Sequence, residues 1–345
     1  MDFHRSNRRK TGLKDVDSCE LQQYYLSDPR LSSQSGALTG KSRSVDYLHT
    51  EYVEIPTWAV RLGLLRKANY TLTERGRALL ALHSGASDAA GDRRPEGNPY
   101  LLTPSEKYLF LYSLLDADGD TIKRLYRRLI RQATPLSKSD VGGHLLESFE
   151  ELRHEIKNRR LSVTYRSLDA QLQSAVEAIR NRSDQAIVPR LEPFVDCGLL
   201  KRPNRQSSIY ETTDTTRRFI GNLNQSASLD EFLNASLAMN TAALLGLVYE
   251  KKLEFLPRYL ARSYTRLKSG IGYCSIEDLA ILAVASSIGD GHGTFELVDV
   301  QHAILEFAGQ YGTSVRFTKN RQGNLSLVKF DPTLISALID GERIQ

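Results

Sequence analysis

A pattern that this chain carries twice restricts its fold more than any other feature. The first copy reads GLLRKANYTLTERGRALLAL, Gly63 to Leu82, and the second GLLKRPNRQSSIYETTDTTRRFIGNL, Gly198 to Leu223. In each, a glycine and an apolar pair (Leu64 and Leu65; Leu199 and Leu200) lead into basic residues, an asparagine-containing turn, and then a tyrosine with alternating threonines. Alternation around a polar turn predicts a small β-hairpin, because successive side chains of a strand point to opposite faces. The returning strand then runs directly into a helix. In the first copy Thr73 is placed to cap that helix, with Glu74 in its first turn. The second copy repeats the device with a hairpin turn several residues longer.

The segments ahead of both copies have helical patterns. Val53, Ile55, Trp58, Ala59 and Leu62 form an apolar set compatible with a helix ending at Gly63, and two helical pieces, Leu168 to Arg180 and about Val188 to Cys197, precede Gly198. A third arrangement follows at the C-terminus. SIEDLAILAVASSIG (Ser275 to Gly289) starts with a serine cap and an acidic first turn, and TFELVDVQHAILEFAGQYG (Thr294 to Gly312) is a second amphipathic helix. SVRFTKNRQGNLSLVKF, Ser314 to Phe330, then alternates around a glycine-containing turn, a third and longer hairpin with Arg316, Lys319 and Arg321 at or near its tip.

Helix, helix, glycine, basic hairpin and helix in this order resemble the winged-helix superfamily, in the form where a GLL step leads from the recognition helix into the wing. The resemblance implies a mainly α chain with small β-hairpin wings: tandem winged-helix (helix-turn-helix) domains joined by helical segments. It also implies double-stranded DNA as partner, since that mode places one helix in the major groove and the wing on phosphates. The residues expected to contact DNA are Arg66 and Lys67 on the first wing, Lys201, Arg202 and Arg205 on the second, and Arg316, Lys319 and Arg321 on the third. Lys123, Arg124, Arg127 and Arg128 join them, because TIKRLYRRLIRQ sets Ile122, Leu125, Tyr126 and Leu129 on one helical face and the cations on the others. Arrays of winged helices without a catalytic domain are similar to accessory subunits of prokaryotic DNA-processing or anti-phage defence complexes. Replication initiators, transcription regulators, and the assembly adaptors of chromosome-organising ATPases are alternatives within the same superfamily. The implied company is a protein complex or a homo-oligomer.

Composition sets the boundaries. Residues 1–44 read as a basic flexible arm, 45–83 as the first winged-helix-like unit, and 84–100, where Gly, Ser, Asp and Pro crowd out apolar residues, as a linker. Residues 101–223 read as a helical module ending in the second unit, 224–270 as a helical bridge broken once near Pro257, and 271–345 as the third unit. In the bridge Arg258, Arg262 and Arg266 repeat at helical spacing, which by default is a solvated face. Net charge is +5 with a pI near 9.0, which permits nucleic acid without requiring it.

Other chemistries find little support. The longest apolar runs fall far short of the roughly 20 residues that span a bilayer, so no membrane segment is expected, and the N-terminus lacks the apolar stretch of a secretory signal. Cys19, Cys197 and Cys274 have no CxxC partner, and a cytoplasmic location is the simplest expectation. Asp116 to Asp120, DADGD, fails as a calcium loop because Thr121 and Arg127 stand where Gly and a bidentate Glu are needed, so a helix-to-helix turn is expected. GALTGKS (Gly36 to Ser42) has Ser35 where a phosphate-binding loop requires its first glycine. No catalytic constellation, metal site or cofactor site is expected.

Overall fold

The computed structural model describes residues 59–60, 62–66, 71–85, 102–132, 135–158, 173, 176–177, 180, 191–203, 209–291, 295–321 and 323–340. The N-terminal arm, most of the 84–100 linker, GALTGKS, Lys67 and Arg205 lie outside the described residues. The protein is mainly helical with two small antiparallel sheets of three strands each. It divides into two compact units, each discontinuous in sequence: Met1–Thr71 with Ala117–Gln225, and Leu72–Asp116 with Ser226–Gln345. The segment 101–223, read from the sequence as one module, is therefore divided at Asp116/Ala117.

That division falls inside a helix. Alpha helix α1 spans Glu74–Gly85 and α2 Pro104–Leu129, and α2 has a non-helical residue, Asp118, at φ −145 and ψ 19. DADGD is thus a kink between two helical stretches. The start of α2 follows its sequence cues: Thr103 Oγ1 accepts the Glu106 N–H at 3.3 Å, and Glu106 Oε2 accepts the Thr103 N–H at 2.8 Å. This reciprocal capping box satisfies two amides that the helix leaves open, and Pro104 needs no donor in the first turn.

In the first unit the C-terminal stretch of α2 is followed by β1 (Leu136–Ser137), α3 (Lys138–Asn158), helical residues 191–196, the strands β2 (Leu200–Lys201) and β3 (Ile209–Thr212), and α4 (Asp214–Gln225). Strand β3 lies between the others, with Leu136 opposite Tyr210 and Leu200 opposite Thr212. The core joins the apolar face of α2 (Ile122, Leu125, Tyr126, Leu129) to Phe194, Leu199 and Tyr210, all essentially inaccessible. The Tyr126 and Phe194 rings stack at 4.4 Å.

In the second unit α5 (Leu229–Ala235) and α6 (Leu237–Leu244) precede α7 (Leu256–Leu267), β4 (Cys274–Ser275), α8 (Ile276–Asp290), α9 (Leu297–Tyr311), β5 (Val315–Lys319), β6 (Leu325–Phe330) and α10 (Pro332–Asp340). The order helix, strand, helix, helix, strand, strand, helix is that of the first unit's described elements, and the sheet again places its last strand, β6, in the middle. Helix α8 is the spine of this core, buried continuously from Leu279 to Ala285. Tyr264 ties α7 to the sheet, its hydroxyl accepting the Phe330 N–H at 3.1 Å and its ring meeting Phe330 edge-on at 5.0 Å.

Two details depart from the sequence reading. The bridge is not helical throughout: α6 stops at Leu244, residues 245–252 are non-helical, and Pro257 begins a helix rather than breaking one. Proline in a first turn leaves no amide unpaired, so its sequence position marked a start. Consequently α7 belongs to the C-terminal arrangement, as the helix ahead of β4.

The repeated GLL step has a specific geometry. Gly63 and Gly198 sit at φ 72 and 84, and each donates its N–H three residues back, to Val60 at 3.0 Å and Val195 at 2.9 Å. The next leucine donates five residues back, Leu64 to Ala59 at 2.8 Å and Leu199 to Phe194 at 2.7 Å. These paired bonds close a helix end and need a left-handed residue, which glycine adopts without a Cβ clash. Gly246 makes the same pair of bonds, to Ala243 and Ala242 through Leu247, without a hairpin after it. The glycine step is therefore a helix stop, and a hairpin forms only where the next residues alternate around a polar turn.

Candidate nucleic-acid interface

Among the described residues, the segments after the helix stops pair to different extents: β2 with β3 and β5 with β6 form strands, whereas after Gly63 only single bridge residues are described. In the first copy the Arg66 N–H donates to the Thr71 carbonyl at 2.8 Å, and Thr73 Oγ1 accepts the Gly76 N–H at 3.0 Å to cap α1. In the second, Lys201 faces Glu211 across β2 and β3, and Thr213 and Thr216 exchange capping bonds of 2.9 and 3.0 Å at the start of α4. The third is the longest: Val315 to Lys319 pairs with Leu325 to Phe330, with a register shift at Thr318/Lys319.

The predicted cations have separate fates. Arg124 donates to Glu155 Oε2 at 2.7 Å, and Arg128 reaches Glu147 at 2.6 Å and also Glu151, so two of the four basic residues named on α2 are neutralised by the acidic face of α3. Arg127 is exposed and donates to the Asn224 side chain at 3.4 Å, while Lys123 is half-buried and has no ion pair among the described residues. Arg202 does not project from its wing. Its guanidinium contacts both Glu192 oxygens at 3.0 Å and lies over the Tyr210 ring at 5.5 Å, and the Tyr210 hydroxyl donates to Glu192 as well. Glu192 is 4% exposed, so this is an internal brace between the helix stop and the returning strand. A buried carboxylate requires such partners, because leaving it unpaired is strongly unfavourable. Sequence reading missed it because Glu192 stands ten residues before Arg202, on another element. Lys201 and Arg66 are exposed.

The C-terminal hairpin keeps its cations outward. Arg316, Lys319 and Arg321 are exposed, and none forms an ion pair among the described residues. Their positions differ from the expectation in one respect. Arg316 lies opposite Lys329 near the base of the hairpin, and only Lys319 and Arg321 are at its tip. Lys329 turns away, donating to the Ile271 carbonyl at 2.9 Å and lying 5.6 Å over the Tyr273 ring.

Helix α9, ahead of this hairpin, carries Asp299 and Glu306 and no lysine or arginine. It exposes Leu305, and beside it Leu253, Pro257, Ala303, His302, Glu306 and Phe307 border a shallow groove. At its start, Glu296 is 4% exposed and accepts the amides of Ala238 at 3.1 Å and Met239 at 2.9 Å, opening α6, and the Tyr249 hydroxyl at 3.3 Å. Burial pushes its carboxyl up to about 7 against these hydrogen bonds, which favour the ionised form.

A second charged cluster in this unit escaped the sequence reading. Arg75 on α1 donates to Asp116 at 2.7 Å, Glu277 at 2.7 Å and Asp278 at 3.4 Å, and its guanidinium lies 5.1 Å from the Tyr112 ring centre. Tyr112 also donates to Glu277 at 3.0 Å, and Glu74 accepts the Ser275 N–H. Burial alone would lower the arginine's pKa, but the hydrogen bond to Asp116 and the charges of Asp278 and Glu277 outweigh it and raise it further. Asp278 moves up despite Arg75, since its own burial and the nearby Glu74 dominate. The cluster holds α1, α2 and the start of α8 together; an arginine surrounded by three carboxylates on packed helices is a structural tie.

Among the described residues there is no group of three or more His, Cys, Asp or Glu able to hold a metal ion, and no helix is long and apolar enough to cross a membrane. No protein-family model, curated protein or solved structure matches this chain.

Proposed function

We propose that this chain is a non-catalytic protein that binds duplex DNA mainly through its phosphates, as a winged-helix subunit of a prokaryotic DNA-processing or anti-phage complex. The observation that carries the reading is the C-terminal hairpin, which presents Lys319 and Arg321 at its tip, exposed and without an ion pair among the described residues, with Arg316 exposed on the strand near Asp331. The order of elements and the central last strand are compatible with a winged helix and so support the reading, and a basic wing is what that mode requires. Because α9 has two acids and no cation, its contribution to base reading is small, and affinity rests on charge.

The test is fluorescence anisotropy with a duplex of generic sequence at several salt concentrations. The parent should bind with an affinity that falls steeply with salt. R316A/K319A/R321A should reduce the slope of log K against log salt by about 2 to 3, near one for each phosphate no longer neutralised. Absence of parental binding at low salt, or binding insensitive to salt, would sink the reading.

One observation favours assembly on another protein as the second reading. The helix that would enter the groove is acidic and exposes Leu305 at 49%, and a mixed groove of Leu253, Leu256, Pro257 and Phe307 with Asp299, His302 and Glu306 lies beside it. On that reading the chain is an adaptor, and a size-defined complex with a protein partner would survive the R316A/K319A/R321A change.

A further inference from the structure

Helix α7 carries Arg258, Arg262 and Arg266 at intervals of four residues, and all three are exposed. We infer that this row is a second phosphate-contact site, taking the backbone of one DNA strand alongside the wing; the inference rests on the duplex-binding reading above.

The opposite face of α7 explains the geometry. Leu256, Tyr259, Leu260, Ser263, Tyr264 and Leu267 are buried, so the packing fixes which way the arginines point. Tyr259 donates to Asp290 at 3.0 Å and Tyr264 is held by Phe330, which leaves the helix no rotational freedom to hide them. Residues 258 to 266 rise about 12 Å along the axis, a length on the scale of a few successive phosphates of one strand.

A solvated charge row normally contains its own counter-ions, and this one does not. The helix sequence, LPRYLARSYTRL, has no Asp or Glu. Glu254, one turn ahead of Arg258, is exposed and forms no ion pair with it among the described residues. On the neighbouring α8, Glu277 and Asp278 are paired with Arg75, while Asp290 accepts the neutral Tyr259 hydroxyl, keeps its charge near Arg258 and Arg262, and forms no ion pair with the row among the described residues. Each pair of like charges at i and i+4 opposes helix formation, and Arg258 sits in the first turn, where the helix dipole disfavours a cation. Arg75, Arg124, Arg128 and Arg202 have carboxylates within 3.0 Å, so the chain neutralises arginine where an acidic element is packed beside it. The dipole favours Arg266 in the last turn, but the mutual repulsion along the row and the position of Arg258 remain, and an anion from outside would relieve both. Guanidinium donors suit phosphate oxygens, which they can grip with two parallel hydrogen bonds.

The experiment compares four full-length proteins on the same duplex across salt: parent, the wing variant R316A/K319A/R321A, the row variant R258A/R262A/R266A, and R258K/R262K/R266K. The row variant should lose about 2 to 3 from the salt slope and bind about ten-fold or more weakly at moderate salt. The lysine variant should recover the slope, since it retains the charges. The row variant should melt no lower than the parent, because only exposed, mutually repelling charges are removed; R258Q/R262Q/R266Q repeats the comparison if it does not. A row variant with parental affinity and slope, beside a weakened wing variant, overturns the inference and leaves the duplex reading standing. A parent that ignores duplex DNA overturns both. A parent that prefers polyglutamate to duplex DNA overturns the phosphate assignment and points to an acidic protein surface.

Discussion

The helix ahead of the first sheet strand is basic in both units, yet the two are treated in opposite ways. In the first unit Arg124 and Arg128 on α2 meet Glu155, Glu147 and Glu151, which α3 supplies along one face. In the second, α7 has α8 as neighbour, and α8 is apolar through its middle, with Glu277 and Asp278 paired to Arg75 and Asp290 forming no ion pair with α7 among the described residues. The wings differ in the same sense. Arg202 is folded back onto Glu192, whereas Arg316, Lys319 and Arg321 stay in solvent. One order of elements thus supports two uses of cations, and element order alone does not say which unit meets an anion.

Three changes would break or sharpen that contrast. The largest effect should come from Arg75→Ala, which leaves Asp116, Glu277 and Asp278 facing one another; with these acids partly solvated, the loss should be on the order of 3 kcal/mol. Urea denaturation followed by circular dichroism would measure it. If Arg75→Ala unfolded like the parent, the cluster would not be the tie that orients α8.

Next in size is a pH dependence that belongs to Glu296 of the second unit. Its folded pKa of about 7 lies above the ordinary glutamate value, so the folded chain holds this proton more strongly than the unfolded chain. The contribution is fully present below about pH 4 and is lost as pH rises through about 7, by roughly 2–3 kcal/mol. Denaturation midpoints at pH 5 and pH 8 should differ accordingly, and Glu296→Gln should narrow the difference. An unchanged gap in that variant would assign it to other groups.

The smallest change is expected for Glu192→Gln, which retains the shape but removes the charge that holds Arg202 and Tyr210. A cost of about 1–2 kcal/mol is expected for a charge-assisted buried bond. Amide exchange should quicken at Leu200, Lys201 and Ile209 to Thr212, and remain unaltered at β5 and β6. Equal quickening in both sheets would mean that the brace does not distinguish the wings.

The local devices were legible because they are made within a few residues. Thr103 with Glu106, Thr73 and Ser275 cap helices as their spacing predicts, and the Ser314 to Phe330 alternation is a hairpin. The glycine of the repeat is legible as a helix end, and Gly198 leads into paired strands as expected; Gly246 closes α6 with the same bonds and no strand comes after it, so the glycine alone does not signal a hairpin. Pro257 was misread as a break because a proline's meaning depends on whether the helix lies before or after it.

What the sequence determined by itself was the set of helix ends, caps and turns, where backbone conformation and bonds over three to five residues decide the outcome. Which cations remain available was settled only by the tertiary structure. Apart from Asp120, one helical turn from Arg124, the carboxylates that pair with Arg75, Arg124, Arg128 and Arg202 stand between 10 and 203 residues away. Charge pairing acts through space, so the same basic helical pattern is closed off by an acidic neighbour on α3 and left open beside the apolar α8.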